Sequence, residues 1–171
     1  MAREIGIRTT GWTLTGNAAA FRQVTRTFSK TMKLPSSMLE CADRSTNEEA
    51  WRIGDFAEIL DRATENGLVC VGGQFQFRGP IGIAEMYWLN ADSSPRRENE
   101  TWQEYVLRAN AEVRSAFDRL VAETDFGAEA RGWSHIQKAL ATGTIGDPKD
   151  HLYFVAYFGD ETTGAEQSRC T

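Results

Sequence analysis

This chain has little of what most recognisable protein chemistry is built from. In 171 residues there are two histidines, three cysteines and four prolines. No apolar run approaches the ~18 residues needed to span a bilayer. The N-terminus, MAREIGIRTTGW, lacks the continuous apolar core of a secretory signal. These absences predict a cytoplasmic protein with no membrane partner. Cys41, Cys70 and Cys170 are odd in number and widely separated, with neither a Cys-x-x-Cys unit nor a histidine at ligand spacing. That argues against a disulfide framework and a structural zinc site. Cys70, in an alternating apolar segment, reads as a small buried hydrophobe. No metal and no cofactor is expected.

The motifs of the larger reaction classes are missing as well. The sequence contains no GxxxxGK[ST] phosphate loop, no GxSxG elbow and no HExxH pair. Gly79-Pro80-Ile81-Gly82 falls between two apparent strands, where glycine and proline serve a turn and not a dinucleotide. The formal charge of −5 is too small for a mimic of the nucleic-acid backbone and disfavours general nucleic-acid affinity. A composition of 41% hydrophobic and 25% charged residues suits one domain with a full core. The expected organisation is a single domain over 1–159, followed by a polar tail over 160–171.

What is present is periodicity. Residues 5–14 read as an N-terminal strand, and Phe21, Val24, Phe28 and Met32 form one stripe of a helix over 18–33. Arg22, Arg26, Lys30 and Lys33 lie opposite that stripe, and Pro35 ends the helix. Thr46 and Glu49 have capping-box spacing, which predicts a helix over 47–66 that is interrupted or re-capped at Gly54 and closed by Gly67. Residues 68–91 read as two strands hinged at Gly79-Pro80. In the first, Val69, Val71, Phe75 and Phe77 alternate with Gln74, Gln76 and Arg78, the pattern of one buried and one wet face. In the second, Ile81, Ile83, Tyr87 and Leu89 alternate with Ala84, Met86 and Trp88, so both faces are apolar and a central position is predicted.

Thr101 and Glu104 make the clearest capping box, opening a long helix with Trp102, Val106, Ala109, Val113, Phe117 and Leu120 in one sector and a Glu104–Arg108 pair outside. A shorter helix carries Trp133, Ile136 and Leu140. The last strand, HLYFVAYF over 151–158, is apolar on both parities and should lie inside the sheet. The sum is an α+β two-layer sandwich of about four mainly antiparallel strands packed with three to four helices.

Site candidates are few. Glu85 is an acid between Ala84 and Met86, and its desolvation must be relieved by an arginine such as Arg8 or Arg78, by an open sheet edge, or by a cleft. A catalytic reading gathers Glu85 with Tyr87 and His151. A binding reading uses the basic face at Arg22, Arg26 and Lys30, with Trp12 and Trp51 as exposed anchors. Two functions follow. The first is a non-catalytic protein-interaction module, such as a small cytoplasmic inhibitor or immunity protein of a bacterial or phage conflict system, with another protein as partner. The second is a small enzyme or ligand-binding domain using Glu85 in a cleft on the sheet.

Overall fold

The apolar periodicities resolve into one antiparallel sheet with helices against it. The computed structural model describes residues 32–44, 48–80 and 82–162. The elements are α1 (Ser36–Leu39), β1 (Ala50–Arg52), α2 (Phe56–Glu65), β2 (Val69–Gly79), β3 (Gly82–Asp92), α3 (Trp102–Glu123), α4 (Phe126–Arg131), α5 (Ser134–Ala141), a 3-10 turn (Pro148–His151) and β4 (Leu152–Gly159). The sheet order is β1-β4-β2-β3, with every neighbouring pair antiparallel. This is the α+β sandwich expected from the sequence. The strand expected over 5–14 lies outside the described residues, as does the helix expected over 18–33 except for Met32 and Lys33, which are not helical.

Several expectations change. The helix expected from residue 47 begins at Phe56, and Ala50–Arg52 is instead a strand pairing with Tyr153–Val155. A local capping signal is weaker than the ladder bonds and burial that β4 supplies on its open side. Trp51 is 0% exposed, its indole N–H donating to the Met38 carbonyl at 2.8 Å, so it is a core residue and not a surface anchor. The strand positions are also reversed. β2, read as half-wet, is interior and buried on both faces, whereas β3, read as central, is the edge. As expected, β4 lies inside, between β1 and β2.

The core sits between the sheet and α3. Phe75 of β2 stacks on Phe117 of α3 at 5.3 Å and meets Phe126 at 5.1 Å and Phe154 at 5.0 Å. Phe56 of α2 closes the group at 4.8 Å from Phe117 and 4.5 Å from Phe154. Burial of each ring stabilises by roughly 2–3 kcal/mol. Gly73 permits the close approach of β4: a methyl there would overlap the Val155 carbonyl oxygen and stand 2.5 Å from Phe154 Cε1.

The capping box of α3 forms as read, Glu104 N–H donating to Thr101 Oγ1 at 3.2 Å and Thr101 N–H to Glu104 Oε2 at 2.8 Å. That commitment changes the expected Glu104–Arg108 pair. Arg108 instead forks onto Glu100, with Nε to Oε1 at 2.7 Å and Nη2 to Oε2 at 2.9 Å, and donates from Nη1 to Glu112 at 2.8 Å. The connection over 93–100 is thereby tied to the first turns of α3. The Arg108 hydrogen bonds, helped by the Arg97 N–H and opposed by desolvation, pull Glu100 from 4.5 down to about 2.

Two outcomes follow. Gly73→Ala should destabilise by at least about 2 kcal/mol in urea unfolding, while Gly54→Ala, with nothing within 4 Å of the added carbon, should change stability by less than about 0.5 kcal/mol. Because the folded pKa of Glu100 is depressed, its contribution is complete above its ordinary range and lost as pH falls toward about 2. Glu100→Gln should therefore flatten the loss of stability between about pH 4.5 and 2, as read by melting temperature across that window.

Candidate functional site

The unusual part of the sheet is the irregularity in its edge strand. Gly82 to Met86 pair regularly with Gly79 to Phe75, but the next β2 residue, Gln74, pairs with Asn90. The register skips Tyr87, Trp88 and Leu89, which bow out of the ladder as a bulge. Bulges of this kind redirect side chains at sheet edges. Tyr87 is 55% exposed and Trp88 47% exposed, with their rings edge to face at 5.1 Å. Trp88 lies nearly parallel to Trp133 at 6.2 Å, just ahead of α5, and Trp133 in turn meets the His135 ring at 6.0 Å. The result is an aromatic shelf fed by β3 and the α4–α5 junction.

Glu85 lies immediately before this bulge. It pairs in register with Gln76 and is exposed. Among the described residues no hydrogen bond or ion pair engages its carboxylate. Of the expected ways to relieve its charge, the open edge is the one observed: Arg78 turns away and Arg8 lies outside the described residues. Ile83, two residues earlier, is 39% exposed, while the intervening Ala84 and Met86 are buried. Ile83, Glu85 and Tyr87 thus form an exposed row, apolar, acidic and aromatic. Ile81 lies outside the described residues.

The structure keeps Glu85 and Tyr87 together on β3 but separates His151 from both. His151 precedes β4, and β2 lies between β4 and β3. At about 4.8 Å per strand spacing, that places the backbones at His151 and Glu85 roughly 10 Å apart. The His151 ring rests against Gly79 and lines a cavity of about 10 Å³ with Phe77, Ile136, Ile145 and Pro148, a space for one water; Glu85 and Tyr87 do not line it. A wider, open concavity of about 460 Å³ lies between α2 and α3, where Arg114 bonds Asp61 at 2.5 Å. Of the binding candidates, Trp51 is in the core, and Trp12, Arg22, Arg26 and Lys30 lie outside the described residues.

The second face of the inner strands carries a polar group that alternation read as wet. Gln76 is 1% exposed and Arg78 3%. Arg78 Nε donates to Gln76 Oε1 at 2.9 Å, and Nη1 donates to the backbone carbonyls of Asp43 and Glu48 at 3.3 Å each, with the Asp43 carboxylate 3.9 Å away. Burial presses the Arg78 pKa down, and the nearby Asp43 and Glu48 charges push it back. Tyr157 donates its hydroxyl to Glu48 at 2.7 Å on the same side. Arg78 therefore clasps the segment leading into β1 over the sheet. At Cys70, burial raises the thiol to about 12, which makes it an inert packing residue as read.

The sequence missed the aromatic shelf. Trp88 and Trp133 each read as buried members of an apolar pattern, and a bulge has no signature in the alternation of side chains. Among the described residues no three or more His, Cys, Asp and Glu are grouped to hold a metal ion, and no helix is long and apolar enough to cross a membrane. No protein-family profile, curated protein or solved structure matches this chain.

The clasp has a measurable consequence. Asp43 and Ala50 exchange two backbone hydrogen bonds, at 2.7 and 3.1 Å, beside the Arg78 contacts. Arg78→Met should leave the carbonyls of Asp43 and Glu48 without their buried donor and lower stability by about 2–3 kcal/mol. Amide exchange at Asp43 and Ala50 should accelerate more than exchange at Phe75, as read by native-state hydrogen exchange.

Proposed function

We propose that this chain is a non-catalytic protein-interaction module, of the kind used as small inhibitors or immunity proteins in bacterial and phage conflict systems, and that it meets its partner through the β3 edge. The observation that carries this reading is the bulge that sets Tyr87 and Trp88 outward together, with Trp133 stacked behind. Half-exposed aromatic rings held by neighbours lose little side-chain freedom on binding and offer large apolar area. These properties make tyrosine and tryptophan the commonest binding anchors. Their site is a sheet edge, where unpaired backbone groups offer a template for another chain.

The test uses a partner captured from the source cells and then purified. Its affinity for wild type, Tyr87→Ala, Trp88→Ala and Leu107→Ala is compared by calorimetry; Leu107 is equally exposed but lies on α3. Anchors at the centre of an interface cost at least about 2 kcal/mol on truncation. Tyr87→Ala and Trp88→Ala should each weaken binding by roughly 30-fold, with melting temperatures close to wild type, and Leu107→Ala should bind normally. Equal affinity of all four proteins would place binding elsewhere and remove this reading.

A further inference from the structure

The edge that carries the aromatic shelf also specifies what form of partner it takes. On its outer side, β3 presents backbone N–H and C=O groups that no strand of the described sheet uses, because β3 is last in the order β1-β4-β2-β3. Natural edges are commonly protected by charged side chains, especially lysine, by proline or by bulges, and in β3 the bulge comes only after Met86. The strand from Gly82 to Asp92, GIAEMYWLNAD, has no lysine, arginine or proline. Its regular part, Gly82 to Met86, stays in register with β2 up to the bulge. The backbone there is straight enough to accept another strand, and the bulge limits how far that strand can run.

The side chains along this run define the complement. Ile83, Glu85 and Tyr87 are the exposed positions, and the buried Ala84 and Met86 alternate with them. The Glu85 carboxylate has no cation among the described residues: the nearest arginine across the ladder, Arg78, opposite Ile83, is buried and committed to Asp43, Glu48 and Gln76. A second copy would not serve. Antiparallel pairing of two Gly82 to Met86 runs sets Glu85 against Glu85 or against Ile83, adding a second carboxylate to the patch and no positive charge. Cross-strand opposite charges stabilise and like charges destabilise. The formal charge of −5 further favours the approach of a basic segment.

We infer that β3 accepts an extended segment of another protein as an added strand, with a lysine or arginine side chain opposite Glu85 and apolar side chains flanking it to meet Ile83 and Tyr87. Main-chain bonds to the edge groups that no described strand uses would hold the segment, and the alternate side chains would select it. This inference rests on the reading that the β3 edge is the interaction surface, and it adds the conformation and charge of what binds there.

The probes are two short peptides in which threonine alternates with valine, a central charged residue and valine. The central residue is lysine in one and glutamate in the other. Each is titrated by NMR into wild type and Glu85→Lys. Wild type should prefer the lysine peptide by about tenfold, with shifts concentrated at the Gly82 to Met86 amides and with cross-strand contacts between peptide and β3 protons. Glu85→Lys should reverse the preference. If both proteins bind both peptides equally, the charge assignment fails; binding without cross-strand contacts overturns strand addition. Dimerisation of the protein through β3 in the absence of peptide would make a second copy the occupant and overturn it too. If the captured partner needs Tyr87 and Trp88 but binds Glu85→Lys normally, the interaction surface stands and this inference alone falls.

Discussion

The position of Phe75 is the constraint on which the rest of the molecule depends. It belongs to an interior strand, yet its ring touches Phe117 of α3, Phe126 of α4 and Phe154 of β4 at once. A helix stripe can pack on a sheet at many offsets, but a ring shared among three other rings fixes the offset. α3 accordingly lies across β2 and β3, and α2 is held through Phe56, which meets two of the same rings. Edge and tilted contacts of this kind add about 0.5–1.5 kcal/mol beyond burial, and they add orientation. Gly73 completes the arrangement by removing the side chain that would keep β4 away from β2.

With that core fixed, the ladder must absorb its mismatches, and it does so differently at its two faults. Between Cys70 and Gly72 the register to β4 shifts by one residue. Asn110 of α3 reaches the strand entering this fault, accepting from the Cys70 N–H at 2.7 Å and donating to the Leu68 carbonyl at 3.0 Å and to Thr64 Oγ1 at 2.8 Å. One buried amide thus satisfies backbone groups of β2 and its approach while joining α3 to α2, because unsatisfied groups at that depth would be costly. The fault at Tyr87 needs no such repair. It occurs at the outer edge, where Tyr87 and Trp88 project as an aromatic surface while Leu89 packs against the core. Interior irregularity is stitched by a helix side chain; edge irregularity leaves its aromatic rings exposed.

This contrast explains what the sequence disclosed. The Thr101 capping box, the α3 stripe and the apolar HLYFVAYF strand were legible because each records a local periodicity that tertiary packing reinforced. The segment Ala50–Arg52 was not, since its extended form comes from pairing with β4, a residue-distant choice that overrides its helical signals. The exchange of central and edge roles between β2 and β3 has a related cause. Alternation reports which side chains are apolar, and burial depends on which neighbours exist. Glu85 was legible as a residue needing explanation, but the bulge beside it was not. Trp88 and Trp133 form their stack across 45 residues of chain, through a register shift that alternation does not encode.

The two charges flanking the β2–β3 turn meet opposite fates, and the difference shapes the surface. Arg78 has a long stem and several donors, so it can be covered if carbonyls and a carboxylate converge on it, as those of Asp43 and Glu48 do. Glu85 has a short stem and only acceptors. Buried at the β3 position it would need several donors, and the adjoining Gln76 could offer only its amide Nε2, which has no hydrogen-bond partner. Exposure is therefore the lower-energy solution for the acid, and enclosure is tolerable for the base. Arg78, opposite Ile83, shares a sheet face with Glu85, yet the two do not pair. The cation is sealed under the segment leading to β1, and the anion remains exposed at the edge, beside the aromatic bulge.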